Sequence, residues 1–141
     1  MIDEFKGRNF FLSNFYNRDV TFEGLTYKNT ECAFQAQKCL GRRKEFVNLT
    51  PSEGKRLGRH VRIRKDWEFV KDDIMYRIVK CKFTQHEDLK RRLIDTGDEE
   101  LLEGNTWNDT YWGIDINTRQ GYNKLGKILM RVRDEIRSYH V

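Results

Sequence analysis

Residues 29 to 38 read NTECAFQAQK. Glu31, Gln35 and Lys38 recur there at i, i+4 and i+7, one stripe of a helix, and place an acid, an amide and an amine in register. Cys32, Ala36 and Cys39 repeat the spacing about one residue round and form a small, apolar seam. Three other stretches are too polar and too aromatic for ordinary loops. In GRNFFLSNFY (7–16), Arg8, Ser13 and Asn14 are interleaved with Phe10, Phe11, Phe15 and Tyr16. EGNTWNDTYWG (103–113) carries Glu103, Asn105 and Asp109 beside Trp107 and Trp112, and GYNKLG (121–126) is a glycine-bounded loop. Aromatic loops often anchor a core. Tryptophans alternating with amides and acids point instead to a planar, polar ligand.

The elements that must carry these residues follow from pattern. VTFEGLTYKN (20–29) alternates as a hairpin with Glu23-Gly24 at its turn. Asn29 then caps a helix expected to run to about Leu40, with Gly41 as a left-handed stop. Thr50, Pro51 and Glu53 spell a capping box at the start of a short helix. Trp67, Val70, Ile74, Ile78 and Cys81 lie on one face of a helix over 66–83, and residues 86–97 form another, closed by Gly97. The last helix spans 123–140, with Leu125, Ile128, Leu129, Val132 and Ile136 on its apolar face. Short extended pieces are expected near 100–103 and 111–116. No GxGxxG or GxxxxGK[ST] occurs, so the sum is a helix-rich α+β domain with a small sheet, one domain over 1–141, and not a βαβ nucleotide fold.

A chain of 141 residues can bury a proper core. No apolar run approaches the roughly 18 residues that cross a bilayer. MIDEFKGRNFF has acids where a signal peptide needs a basic region, so a soluble, cytoplasmic protein with no membrane partner is expected. Cys32, Cys39 and Cys81 form no CxxC pair, and His60, His86 and His140 are scattered. Free thiols and no metal site are expected. The net charge of +5 suggests an anionic partner without identifying it. Its densest stretches are GRRKE (41–45) and GKRLGRHVRIRK (54–65), either a solvated face or a phosphate or nucleic-acid attractor.

FLSNFY, then TExxFQAQK, then EGNTWxDTYWG, then NKLGKILMRVR, in that order, resemble the NADAR (YbiA-like) family over nearly the whole chain. Two places depart from the commoner pattern: YKNTE, with Lys28 and Asn29 before the acidic motif, and WGIDINTRQGYN after the tryptophans. Both bear on substrate choice more than on the reaction. The resemblance implies an N-glycosidase fold and activity without a cofactor. The bond cleaved joins a base-like nitrogen to the anomeric carbon of a phosphorylated ribose. Its substrates would be phosphoribosylated aminopyrimidines of riboflavin synthesis or ADP-ribosyl-guanine, including guanine in nucleic acid.

On that reading the residues make chemical sense. Breaking a riboside C–N bond builds positive charge on the sugar, which the carboxylates of Glu31 and Asp109 would offset. Lys38, once unprotonated, can attack the anomeric carbon and hold the opened sugar as a Schiff base. Burial favours the neutral amine and a nearby carboxylate opposes it. Trp112 and Trp107 would stack on the base, Arg8 would hold phosphate, and Asn14 and Asn123 would fix the ribose or the base edge. Asn123 can equally be a plain helix cap. Ser13, Phe15, Gln35, Asn105 and Gly113 complete the implied substrate-binding set. One pocket is expected to receive Glu31, Gln35, Lys38, Asp109 and Trp112. The alternatives are a binding module for ADP-ribose or NAD derivatives without turnover, and a basic nucleic-acid-binding domain that depends steeply on salt.

Overall fold

A computed structural model describes residues 1–139. The hairpin forms as the alternation requires. β1 (Asn17–Phe22) pairs antiparallel with β2 (Leu25–Asn29), Phe22 opposite Leu25 and Val20 opposite Tyr27. Its two-residue turn holds Glu23 at φ 48° and Gly24 at φ 83°, the left-handed pair that matches the strands' twist. Val20, Phe22 and Tyr27 are buried on one face, while the Thr21 and Thr26 hydroxyls pair at 2.8 Å on the exposed face.

α1 (Thr30–Ala36) follows directly, and Asn29 Oδ1 accepts from the Cys32 N–H at 2.8 Å as its cap. All seven of its residues are buried. The helix is shorter than the pattern implies. The N–H groups of Gln37 and Lys38 turn back to the carbonyls three residues earlier, both at 3.1 Å, and Cys39 is extended (φ −142°, ψ 94°). A 3₁₀ segment, Leu40–Phe46, begins there with Gly41 inside it, so Gly41 stops nothing. A competing partner explains the break: the Lys38 carbonyl accepts from the Arg64 N–H at 2.8 Å instead of continuing the helical ladder.

α2 (Pro51–Gly58) has the expected capping box between Thr50 and Glu53. It lies close on α1 through Gly54 and Gly58, one turn apart. A Cβ at Gly54 would strike Cys32 Sγ, and one at Gly58 would strike Gln35 Oε1. Helix propensity alone makes Gly→Ala stabilising by about 1 kcal/mol. Gly54→Ala is expected to reverse that sign and cost roughly 1–3 kcal/mol, because Cys32 Sγ is buried and held to the carbonyls of Leu49 and Thr50. Chemical denaturation of the variant measures it, and a stabilised Gly54→Ala would show that the seam can yield.

α3 (Trp67–Gln85) packs on β1 and α1, and the Gln85 amide pairs with both backbone groups of Thr21 at 2.8 and 3.0 Å. Its buried face is Trp67, Ile74, Met75, Ile78, Val79, Lys82 and Phe83. Val70 and Cys81, expected on that face, are only half-buried.

The remaining elements are α4 (Glu87–Ile94), β3 (Gly104–Asn105), β4 (Ile114–Asp115) and α5 (Lys124–Ser138). Gly97 takes the left-handed conformation expected after α4 (φ 63°). β3 and β4 pair in parallel; the piece expected near 100–103 contributes only a bridge from Leu101 to Ile2. The stretch 7–16 is not all loop, since Gly7–Leu12 winds into a 3₁₀ helix that buries Phe11 and Leu12. The expected helix end at His140 lies outside the described residues. Two compact units result: Asn14–Gln85, and Met1–Ser13 with His86–Val141. The fold is α+β, helix-rich with two-stranded sheets. Among the described residues no helix is long and apolar enough to cross a membrane.

Candidate functional site

In the unit Asn14–Gln85 the structure gathers Asn14, Glu31, Gln35 and Lys38 around α1, with Phe15 following Asn14. Glu31 is 8 % exposed; its N–H donates to the Asn14 carbonyl at 3.0 Å and its Oε1 accepts from Gln35 Nε2 at 3.2 Å. That bond orients the Gln35 amide, leaving Gln35 Oε1 as a buried acceptor with no protein donor among the described residues. Asn14 Nδ2 meets Met75 Sδ at 3.5 Å, a weak contact that fixes its side chain.

Lys38 stands just past the end of α1, on the turn, and is half-buried. Among the described residues no hydrogen bond or ion pair holds its ammonium. Its amine is held below the ordinary lysine range. Burial is the largest cause and the Glu31 carboxylate opposes it; Arg59, Lys71 and Lys55 then push the same way as burial. The tension between burial and carboxylate expected from sequence is therefore present, and burial wins. An amine that sheds its proton more readily, beside a buried carboxylate, can serve as a nucleophile toward an electrophilic carbon while the carboxylate offsets positive charge.

The other unit carries the remaining candidates. Asn105 is buried and its side chain closes the tryptophan loop. Nδ2 donates to the Asp109 carbonyl at 2.9 Å, and Oδ1 accepts from the N–H groups of Trp107 and Asp109 at 3.3 and 3.1 Å. Asp109 Oδ1 in turn accepts from the N–H groups of Tyr111 and Trp112 at 3.2 and 2.9 Å. Both side chains shape the loop first. Trp107 is 54 % exposed, while Trp112 is half-buried with its ring edge-on to Tyr111 at 4.9 Å. Gly113 admits no side chain, because a Cβ would meet the Glu103 carbonyl and carboxylate.

Asn123 is in the left-handed region (φ 52°) at the start of α5, yet its side chain caps nothing there. Nδ2 donates to the Leu101 carbonyl at 2.9 Å and Oδ1 accepts from the Glu103 N–H at 3.0 Å, pinning the segment that leads into the tryptophan loop. The first N–H groups of α5, on Lys124 and Leu125, are satisfied by the carbonyls of Tyr111 and Trp112 at 3.1 and 2.9 Å. The second and third sequence stretches are thus one braced piece. Ser13 is half-buried with its N–H on the Phe10 carbonyl. Arg8 is exposed on a cleft of about 610 Å³, where its carbonyl accepts from Arg92, whose guanidinium lies 4.1 Å above Phe11. Asp3, Glu4, Asp95 and Glu99 share that lining, so it is not a basic cleft.

Sequence reasoning missed Lys82. It is 1 % exposed, its ammonium lies 5.6 Å from the Tyr16 ring and 5.0 Å from the Phe83 ring, and burial pushes it down to about 7. The signal was available: Lys82 stands at i+4 from Ile78 and i+7 from Met75, where the helix face calls for an apolar residue. Its burial separates it from Lys38, which alone of the two amines is open enough to meet a substrate.

The sequence matches the family described as NADAR domain over residues 3–137. An N-glycosidase of Nostoc punctiforme is 38 % identical over 134 residues, covering 89 % of this chain and 85 % of that protein. N-glycosidase YbiA of Escherichia coli is 37 % identical over 129 residues, covering 88 % and 79 %. A riboflavin biosynthesis protein of Vibrio vulnificus is 36 % identical across 92 % of this chain and 36 % of its own length. The NMR structure of E. coli YbiA matches with a TM-score of 0.85 at 32 % identity, covering 99 % of this chain and 89 % of that one.

Proposed function

The chain belongs to the NADAR family and is an N-glycosidase, and from that premise we propose that it hydrolyses a phosphorylated or ADP-ribosyl riboside through the amine of Lys38. The observation that carries this reading is the half-buried Lys38 amine, held below the ordinary lysine range by burial and unclaimed by a partner among the described residues, beside the buried carboxylate of Glu31.

The lone pair of Lys38 Nζ attacks C1′ as the C1′–N bond breaks, and the departing base keeps that bonding pair. Positive charge peaks on the sugar at this point, where the Glu31 carboxylate opposes it. The base takes up the proton that the attacking amine loses. In the resulting glycosylamine the nitrogen pushes its pair toward C1′, the C1′–O4′ bond opens, and O4′ is protonated by solvent. Water then adds to the imine carbon, the C–N bond to Lys38 breaks, and the sugar leaves as an aldehyde that recloses.

The substrate is either a phosphoribosylaminopyrimidine or guanine carrying ADP-ribose. The riboflavin-linked relative supports the first; the +5 net charge suits the second when the guanine lies in nucleic acid. Incubation with a phosphoribosylaminopyrimidine and, separately, with a guanine-ADP-ribosylated oligonucleotide, followed by mass spectrometry of the products, tests the proposal. Release of free base and the matching ribose phosphate or ADP-ribose from one of them is the expected result. Release from neither would overturn it.

A further inference from the structure

We propose that Lys55, Arg59 and Lys71 form an anion subsite beside Lys38 that takes a substrate phosphate, an assignment that rests on the phosphorylated-riboside reading. The geometry comes from two helix contacts. On α2, Gly54 and Gly58 make the close approach to α1; Lys55 is the next residue round from the first, and Arg59, the cap just past the end of the helix and still helical in its backbone angles, follows the second. They therefore run along the edge of that seam. The Lys55 ammonium sits 5.9 Å from the Phe15 ring, which fixes its direction.

The third cation arrives with α3. Trp67 packs its ring on Phe34 of α1 at 5.0 Å, and Lys71 follows one turn later on the same face. The Arg64 N–H, on the segment leading into α3, holds the Lys38 carbonyl at 2.8 Å and draws this end of the helix to the turn that carries Lys38. All three cations are close enough to act on the Lys38 amine. Lys71 is partly offset by Glu68 at 2.5 Å. Lys55 and Arg59 have no acidic partner in an ion pair among the described residues.

Cations gathered round an amine repel one another and lower stability, and two of them have no ion-pair partner among the described residues. A phosphate would supply that anion, and the Arg59 guanidinium offers it a bidentate fork. The same phosphate would place the attached ribose near Lys38 and Glu31, so the subsite would convert binding of a distant charge into alignment of C1′. This assigns phosphate recognition to α2 and α3, not to Arg8 on its acid-lined cleft.

Calorimetric titration of the full chain with ribose 5-phosphate and with ribose tests the subsite independently of turnover. Wild type should bind ribose 5-phosphate, and Arg59→Gln combined with Lys55→Gln should weaken it roughly ten-fold or more while leaving any binding of ribose unchanged. Lys71→Gln should weaken it further, Arg59→Lys should recover part of the loss, and Arg91→Gln on α4 should match wild type. Circular dichroism confirms that each variant is folded. Undetectable binding of ribose 5-phosphate by wild type, or equal affinity in wild type and the double variant, would overturn the subsite. If instead phosphate binding is lost as expected while neither riboside is cleaved, the subsite stands and the substrate reading fails.

Discussion

Lys38→Arg is expected to lower turnover by about 10³-fold or more while the protein folds and still binds ribose 5-phosphate. Arginine keeps the positive charge and the approximate length, but its guanidinium stays protonated at neutral pH and cannot supply the attacking lone pair. Wild type treated with borohydride during turnover should gain a reduced ribose adduct at Lys38, found by peptide mass spectrometry; the variant should gain none. Glu31→Gln is the companion. It leaves volume nearly unchanged, removes the charge facing the sugar, and should cost about 10²-fold in kcat. Glu31 also opposes the burial-driven loss of the Lys38 proton, so in the Gln variant the alkaline-active limb of the rate profile should begin at lower pH. Near-full activity in Lys38→Arg would eliminate the covalent route and leave water attack assisted by Glu31.

The second large effect is on stability. Burial lowers Lys82 from its ordinary 10.5 to about 7 in the folded protein. Between those values the unfolded chain carries a proton at this position that the folded chain lacks. Raising the pH through this window therefore favours the folded state, at up to about 1.4 kcal/mol per pH unit from this group. Below pH 7 both states hold the proton and the contribution levels off at its most unfavourable. Lys82→Met keeps a flexible chain between Tyr16 and Phe83 and removes the titration. Urea denaturation from pH 7 to 10 should show wild-type stability climbing relative to the variant. Parallel curves across that range would mean that Lys82 keeps its proton in the folded protein.

What the sequence determined by itself lies where residues near in the chain decide the outcome. The Glu23-Gly24 turn, the Asn29 cap and the Thr50–Glu53 capping box are contests among neighbouring N–H and C=O groups, so their residue types suffice. Family membership was legible for the same kind of reason, four motifs in fixed order along one chain. The stripe Glu31, Gln35, Lys38 was legible as a set of types, but its geometry was not. The tertiary structure ended α1 at Ala36 because the Arg64 N–H, distant in sequence, claims the Lys38 carbonyl, and it thereby moved Lys38 off the helix onto a turn. Asn105 and Asn123 look like ligand-binding amides in sequence. Only folding shows their donors and acceptors taken by main-chain groups, those of its own loop for Asn105 and those of Leu101 and Glu103 for Asn123. Lys82 follows the same logic: its helical position could be read from spacing, but the depth of its burial depends on which residues of other elements close over it. Local hydrogen bonding and periodicity are written in the order of residues; the competition for a polar group, and the solvent left around a charge, are settled only when distant segments meet.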